Sequence, residues 1–196
     1  MAIDLNTVKP VRDLIPPGVY RLEITVKRGG AGDGGWLRLA KNQRSLMLEL
    51  ECKVVGGDYA GKKVWDYITV EFDETDALHL PPIDPSKLEN YRTSARMGLV
   101  KLRAIIDSAF ALDPNDDSFV AKEKRKLASY GDLHGLEFYA QVEERPGRDS
   151  YGPSNTIDFV ITPDLPDYPH ADVAQFKRTL EQEMNDAIPD FSKPRH

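Results

Sequence analysis

Residues 46–70, LMLELECKVVGGDYAGKKVWDYITV, hold two strictly alternating runs on either side of a glycine-rich break. In the first run Leu46, Leu48, Leu50, Cys52 and Val54 fall on one side, with Met47, Glu49, Glu51 and Lys53 on the other. In the second, Val64, Ile68 and Val70 share a side, and Trp65, Tyr67 and Thr69 take the opposite one. A period of two is the pattern of a strand with one buried face. Gly56, Gly57 and Gly61 give the connection between the runs its backbone freedom. The stretch therefore predicts a long, bulged hairpin with Leu48, Leu50 and Ile68 buried and Glu49 and Glu51 in solvent. Its second strand turns two large aromatics away from the core.

The same alternation recurs before and after this hairpin. Following the turn Pro16-Pro17-Gly18, Tyr20, Leu22, Ile24 and Val26 point inward from a first strand, and residues 1–15 read as a loosely attached arm. The glycine-rich run 27–35 cannot pack a core and reads as a loop, with 36–40 a short strand or an extension of the next one. Ser86 and Glu89 have the spacing of a capping box. Behind it Leu88, Tyr91, Ala95, Leu99, Leu102, Ile105, Ile106 and Ala109 recur at helical spacing to about residue 112. Residues 117–129 predict a second, short helix with a basic face of Lys122, Lys124, Arg125 and Lys126. A last hairpin pairs 136–144 with 155–162, placing Leu136, Phe138, Ala140, Val142, Ile157, Phe159 and Ile161 inward. Beyond the proline-rich break at 163–169, residues 171–188 predict an amphipathic helix with Val173, Phe176, Leu180, Met184 and Ile188 on one stripe.

Antiparallel strands with one long helix between the third and fourth match a mostly β fold with helices. The expected architecture is a five-stranded Greek-key OB barrel carrying a C-terminal helix. An α+β antiparallel sandwich is the competing architecture. Residues 1–162 form the expected barrel domain, with a helical insertion at 86–130, and residues 163–196 the tail.

Composition narrows the function. No apolar run approaches the roughly 18 residues that span a bilayer, and the N-terminus lacks a signal-peptide core. One cysteine, Cys52, forms no internal disulfide and no cysteine-rich zinc site, so a reducing cytoplasm is expected. His79, His134, His170 and His196 lie far apart without paired metal-ligand spacing. Neither a metal nor another cofactor is expected. The run 56–63, GGDYAGKK, approaches a phosphate-binding loop, but Lys63 stands at the magnesium-holding Ser/Thr position and a strand follows where a helix is needed. Asp66, on the apolar side of its strand, reads as a carboxylate satisfied by backbone donors. The residues do not point to an enzyme.

The net charge of −6 is unevenly spread. Residues 163–196 carry seven acids and four bases, whereas 27–44 carry five bases, Lys27, Arg28, Arg38, Lys41 and Arg44, and a single acid, Asp33. Aromatics accompany the bases: Trp36, Tyr59, Trp65, Tyr67, Tyr139 and Tyr151 stand near Lys62, Lys63, Arg145 and Arg148 as well as the first loop. Aromatic platforms stack bases without sequence preference, and cations track the phosphates. In an OB barrel the groove lies over strands two and three, between the first loop and the loop joining the last two strands. Both loops are basic here. The acidic tail is expected to dock on the body or on a neighbouring subunit and to compete weakly for them.

The succession PPGVYRLEI, GDYAGKKVWD, a long helix, LHGLEFYAQVEE and NTI resembles a family of phage-encoded proteins. Members of that family are similar to phage single-stranded-DNA-binding proteins encoded near recombination genes. The resemblance covers about residues 15–161 and is best at Gly18, Tyr59, Gly61, Lys62, Trp65, Asp66, Gly135 and Asn155. It implies an OB fold and a protein of the bacterial host cytoplasm that binds single-stranded DNA in phage replication or recombination. It also implies recombinase or replication proteins as partners, and homo-oligomers. Two departures stand out: the first loop is long and glycine-rich, and the chain ends SKPRH instead of a strongly acidic tip. The alternative function is a protein–protein adaptor or structural protein of a phage replisome or virion, and a nuclease or other metal-dependent enzyme ranks third.

Overall fold

The alternating runs form strands at nearly the expected places. In the computed structural model, which describes residues 14–75, 80–147 and 152–170, β1 spans Gly18–Lys27, β2 Leu37–Leu39, β3 Ser45–Val54 and β4 Lys63–Phe72. Helices α1 (Leu88–Ala109) and α2 (Phe119–Lys124) follow, then β5 (Glu137–Arg145) and β6 (Ser154–Ile161). Residues 1–13 of the N-terminal arm, the amphipathic stripe of 171–188, Arg148 and Tyr151 lie outside the described residues. Ile15, expected in a loosely attached arm, is 2% exposed and packs into the core.

These six strands make one sheet whose pairings, among the described residues, are all antiparallel. β3 is its centre. One edge pairs with β4 along its length, and the other is divided between β2 at Leu46–Leu48 and β1 at Glu49–Val54. β1 continues to β5 and β5 to β6. The sheet runs β4-β3-β1-β5-β6, with β2 as a sixth strand beside β3. A closed barrel needs a further ladder between β4 and β6. They lie side by side, but none joins them among the described residues, and the sheet is open there.

Helix α1 packs across β4, β5 and β6 and covers that opening. Its Leu102, Ile105 and Ile106 enter one core with Leu22 and Ile24 of β1, Leu48 and Leu50 of β3, Ile68 of β4 and Phe138 of β5. Leu48 and Leu50 are fully buried and Ile68 almost so, which fixes the register of the central hairpin as expected. The approach of α1 to the sheet is set by Gly98, where a Cβ would stand 1.8 Å from the carbonyl oxygen of Thr69. Only a residue without a side chain lets the helix rest on that strand.

Several local expectations are corrected. Ser86 does not cap α1: its hydroxyl and amide both donate to Oδ1 of Asp84, and Lys87 stands at the N-cap without a side-chain bond. The helix also ends three residues before Leu112, and the second helix is confined to Phe119–Lys124, capped by Ser118. Arg125 leaves the basic face and turns inward, donating to Asp107 at 2.6 Å. Glu51, expected in solvent, is only 8% exposed, and Glu49 is partly covered. Phe159 faces outward at 46% exposure because the β5–β6 register shifts between Gln141 and Val142. An extra residue on one strand reverses the inward side beyond it, so Val160 is buried in its place.

Candidate nucleic-acid interface

Strand alternation places Lys63, Trp65, Tyr67 and Thr69 on the side of β4 that faces away from the core. Trp65 is 43% and Tyr67 51% exposed. Across the ladder Glu51 stands opposite Trp65 and Glu49 opposite Tyr67. The aromatic strip is therefore bordered by two carboxylates.

Those carboxylates hold the nearby cations. Glu51 takes Lys63 on Oε1 and Lys27 on Oε2, each at 2.7 Å. Hydrogen bonds from Lys27 and then Lys63 hold its carboxyl below the usual range. Lys27 also sits 5.3 Å from the centroid of Trp65, within cation–π range. Arg38 donates to Oε2 of Glu49 at 3.0 Å, and the Tyr67 hydroxyl makes a long 3.4 Å bond to Oε1. Partial burial and the charge of Glu49 raise the Tyr67 phenol above its ordinary value. Further across the face Lys53 pairs with Glu23 at 2.6 Å, and Arg21 with Glu137. The face is a lattice of alternating charge with two aromatics at one side.

A cleft of about 610 Å³ opens beside this strip. Lys63, Trp65, Asp66 and Tyr67 form one wall, and Arg145 with Pro153–Thr156 forms the other. Asn155 fixes the rim. Its side-chain oxygen accepts from the amide of Ile15 at 2.9 Å, and its nitrogen donates to the Ile15 carbonyl at 2.8 Å. Arg145 is exposed at the end of β5. The structure thus brings together four of the expected binding residues, Lys63, Trp65, Tyr67 and Arg145, with Lys27 and Arg38 in contact with the same strip.

The other expected residues go elsewhere. Arg44 is 5% exposed and donates to the carbonyls of Pro81, Asp73 and Thr75, so it clamps the connector after β4 and is not free for phosphates. Tyr139 is 9% exposed, packed with Ile161 and Tyr168 in a second small core, and offers no platform. Trp36 is half-buried over Gly131, where a Cβ would lie 2.5 Å from the indole. Arg28 covers the ring at 4.1 Å while donating to Gly34 O, which occupies both partners. Tyr59 is half-buried, with its ring edge-on to Tyr20 at 6.1 Å, and shares the β3–β4 turn with Lys62, away from the cleft. Lys41 is exposed in the turn before β3.

Runs of bases do not point to Glu49 and Glu51. Their signal was present: once the hairpin is paired, alternation puts them on the same side as Trp65 and Tyr67. Asp66 is likewise held by more than backbone. Its Oδ1 accepts from the Tyr67 amide at 3.1 Å, while Oδ2 lies 2.7 Å from Lys101 of α1. That second contact is Coulombic and lacks hydrogen-bond direction, since Oδ2 has no hydrogen-bond partner.

Set against models of known protein families and against curated proteins, the chain matches none of them. Among the described residues no helix is long and apolar enough to cross a membrane.

Proposed function

We propose that this chain binds single-stranded DNA through the β4 strip and the cleft beside it. Bases stack on Trp65 and Tyr67, Arg145 meets the backbone along the cleft, and no bond is made or broken. The observation that carries the reading is the exposed Trp65–Tyr67 pair on one strand, at a cleft rimmed by cations from β4 and β5. Stacking contributes about 1–3 kcal/mol per base and tolerates any sequence. Under the same reading the sheet is an OB-type barrel left unpaired between β4 and β6. The setting is phage DNA replication or recombination in the bacterial cytoplasm, with recombination or replication proteins as partners.

One observation favours a second reading, a protein–protein adaptor: the cations of the face are largely matched by carboxylates, which suits a partner of mixed charge. Titrating labelled mixed-sequence single strands across a salt series separates the two. Trp65→Ala and Tyr67→Ala should each weaken binding at least fivefold, a loss of about 1 kcal/mol or more. Folded variants that bind as tightly as the unaltered chain, or an unaltered chain that binds no single strand at low salt, would leave the adaptor reading.

A further inference from the structure

We infer that Glu49 biases the aromatic strip toward bases that present an exocyclic amino group, cytosine in particular, over thymine. The inference rests on the strand-binding reading and names the ligand chemistry of the same site. A base stacked on Tyr67 turns its edge toward the side chains next to that ring. Directly opposite residues of an antiparallel pair have Cβ atoms about 4.5–5.5 Å apart, and Glu49 is the residue opposite Tyr67.

An ionised carboxylate accepts hydrogen bonds and donates none, with about four lone-pair sites on its two oxygens. Among the described residues, one oxygen of Glu49 takes Arg38 at 3.0 Å and the other only the 3.4 Å bond from Tyr67. Accepting capacity is left, and the side chain is 18% exposed. Glu51, its neighbour on the same side, is held at both oxygens by lysines and is 11% exposed, so it is the poorer acceptor. Cytosine offers its N4 amino group to a carboxylate, while thymine carries the O4 acceptor at the same position. Set against Glu49, O4 brings lone pair to lone pair.

The test compares labelled oligo-dC and oligo-dT of equal length, by anisotropy at mildly alkaline pH where both are unstructured. The unaltered chain should bind oligo-dC about tenfold more tightly, the order of one base-edge contact. Glu49→Gln, whose amide donates as well as accepts, should bring the ratio to within about twofold. Glu23→Gln, which breaks another ion pair on the same face, should leave it unchanged. Tyr67→Phe keeps the ring and releases an oxygen of Glu49, so it should widen the ratio. Equal affinities in the unaltered chain overturn the bias and leave strand binding standing, whether or not Glu49→Gln folds. A ratio that survives Glu49→Gln, or narrows in Tyr67→Phe, also overturns it. Absence of binding to both oligonucleotides overturns strand binding itself.

Discussion

Lys101 of α1 and Asp66 of β4 form an ion pair at 2.7 Å, and the same ammonium donates to the Ile157 carbonyl of β6 at 3.3 Å. The helix thereby ties together the two strands that the sheet leaves unpaired. Lys101→Met would strand a largely covered carboxylate, and a polar group left without its partner costs about 1–3 kcal/mol. A urea unfolding curve should show that loss. An unchanged midpoint would mean that Asp66 reaches water when the helix lets go.

Arg44 separates folding from binding. Its guanidinium satisfies three backbone carbonyls of the connector after β4. Arg44→Met should lower stability by about 1–3 kcal/mol through those orphaned acceptors. Affinity per folded molecule should stay as it was, whereas a salt slope that drops by the full value of a lost phosphate contact would return Arg44 to the site.

Glu51 acts as a resident anion between Lys27 and Lys63. Glu51→Gln should free both for phosphates, tightening single-strand binding at low salt. Each recruited cation should steepen the slope of log K against log salt by about 0.7. An unaltered slope would place both lysines away from the strand. Acid should act in the same direction: the carboxyl is held below its usual range, so the ion pairs persist through mildly acidic pH. The stability they add is lost only as pH falls through that lowered value.

Tyr168 gives an alkaline signature. It is almost fully buried, donates to the Ser108 carbonyl at 2.7 Å, and burial pushes its phenol up to about 12 from 10.0. A raised acid is neutral in both states at low pH, so its contribution is complete below about 10. It is lost as pH climbs toward about 12, where the folded state must also ionise. Tyrosinate absorbance followed with folding should show one late phenol that disappears in Tyr168→Phe. A Tyr168 that titrates with the exposed tyrosines would mean the 162–170 segment is not seated.

Period-two alternation made β1, β3, β4 and β5 legible, and with them Trp65 and Tyr67, because a half-buried strand records its two sides in every second residue. Arg145, expected in the last loop, stands at the end of β5 on the cleft wall. The acidic side of the site was half legible: alternation puts Glu49 and Glu51 on the side of Trp65 and Tyr67, but their ion pairs, Glu51 with Lys27 and Lys63 and Glu49 with Arg38, form only once the strands pair. Arg44 and Tyr139 were misplaced for a related reason. A basic or aromatic residue reads the same whether its neighbours are solvent or, as here, the carbonyls of a distant connector and the ring of Tyr168. Phe159 fell on the wrong side because a single extra residue in a ladder leaves no mark in the pattern.

Gly98, where α1 rests on β4, makes the far surface of the protein answerable to a hydrogen atom. A methyl group there would drive into Thr69 O and lever the helix outward, drawing Lys101 from Asp66. Asp66 lies between Trp65 and Tyr67 on the strand, so the spacing of the two rings would loosen although neither had been touched. Substitutions that weaken ligand capture need not lie on the capturing face, and position 98 is one place where such remote damage starts.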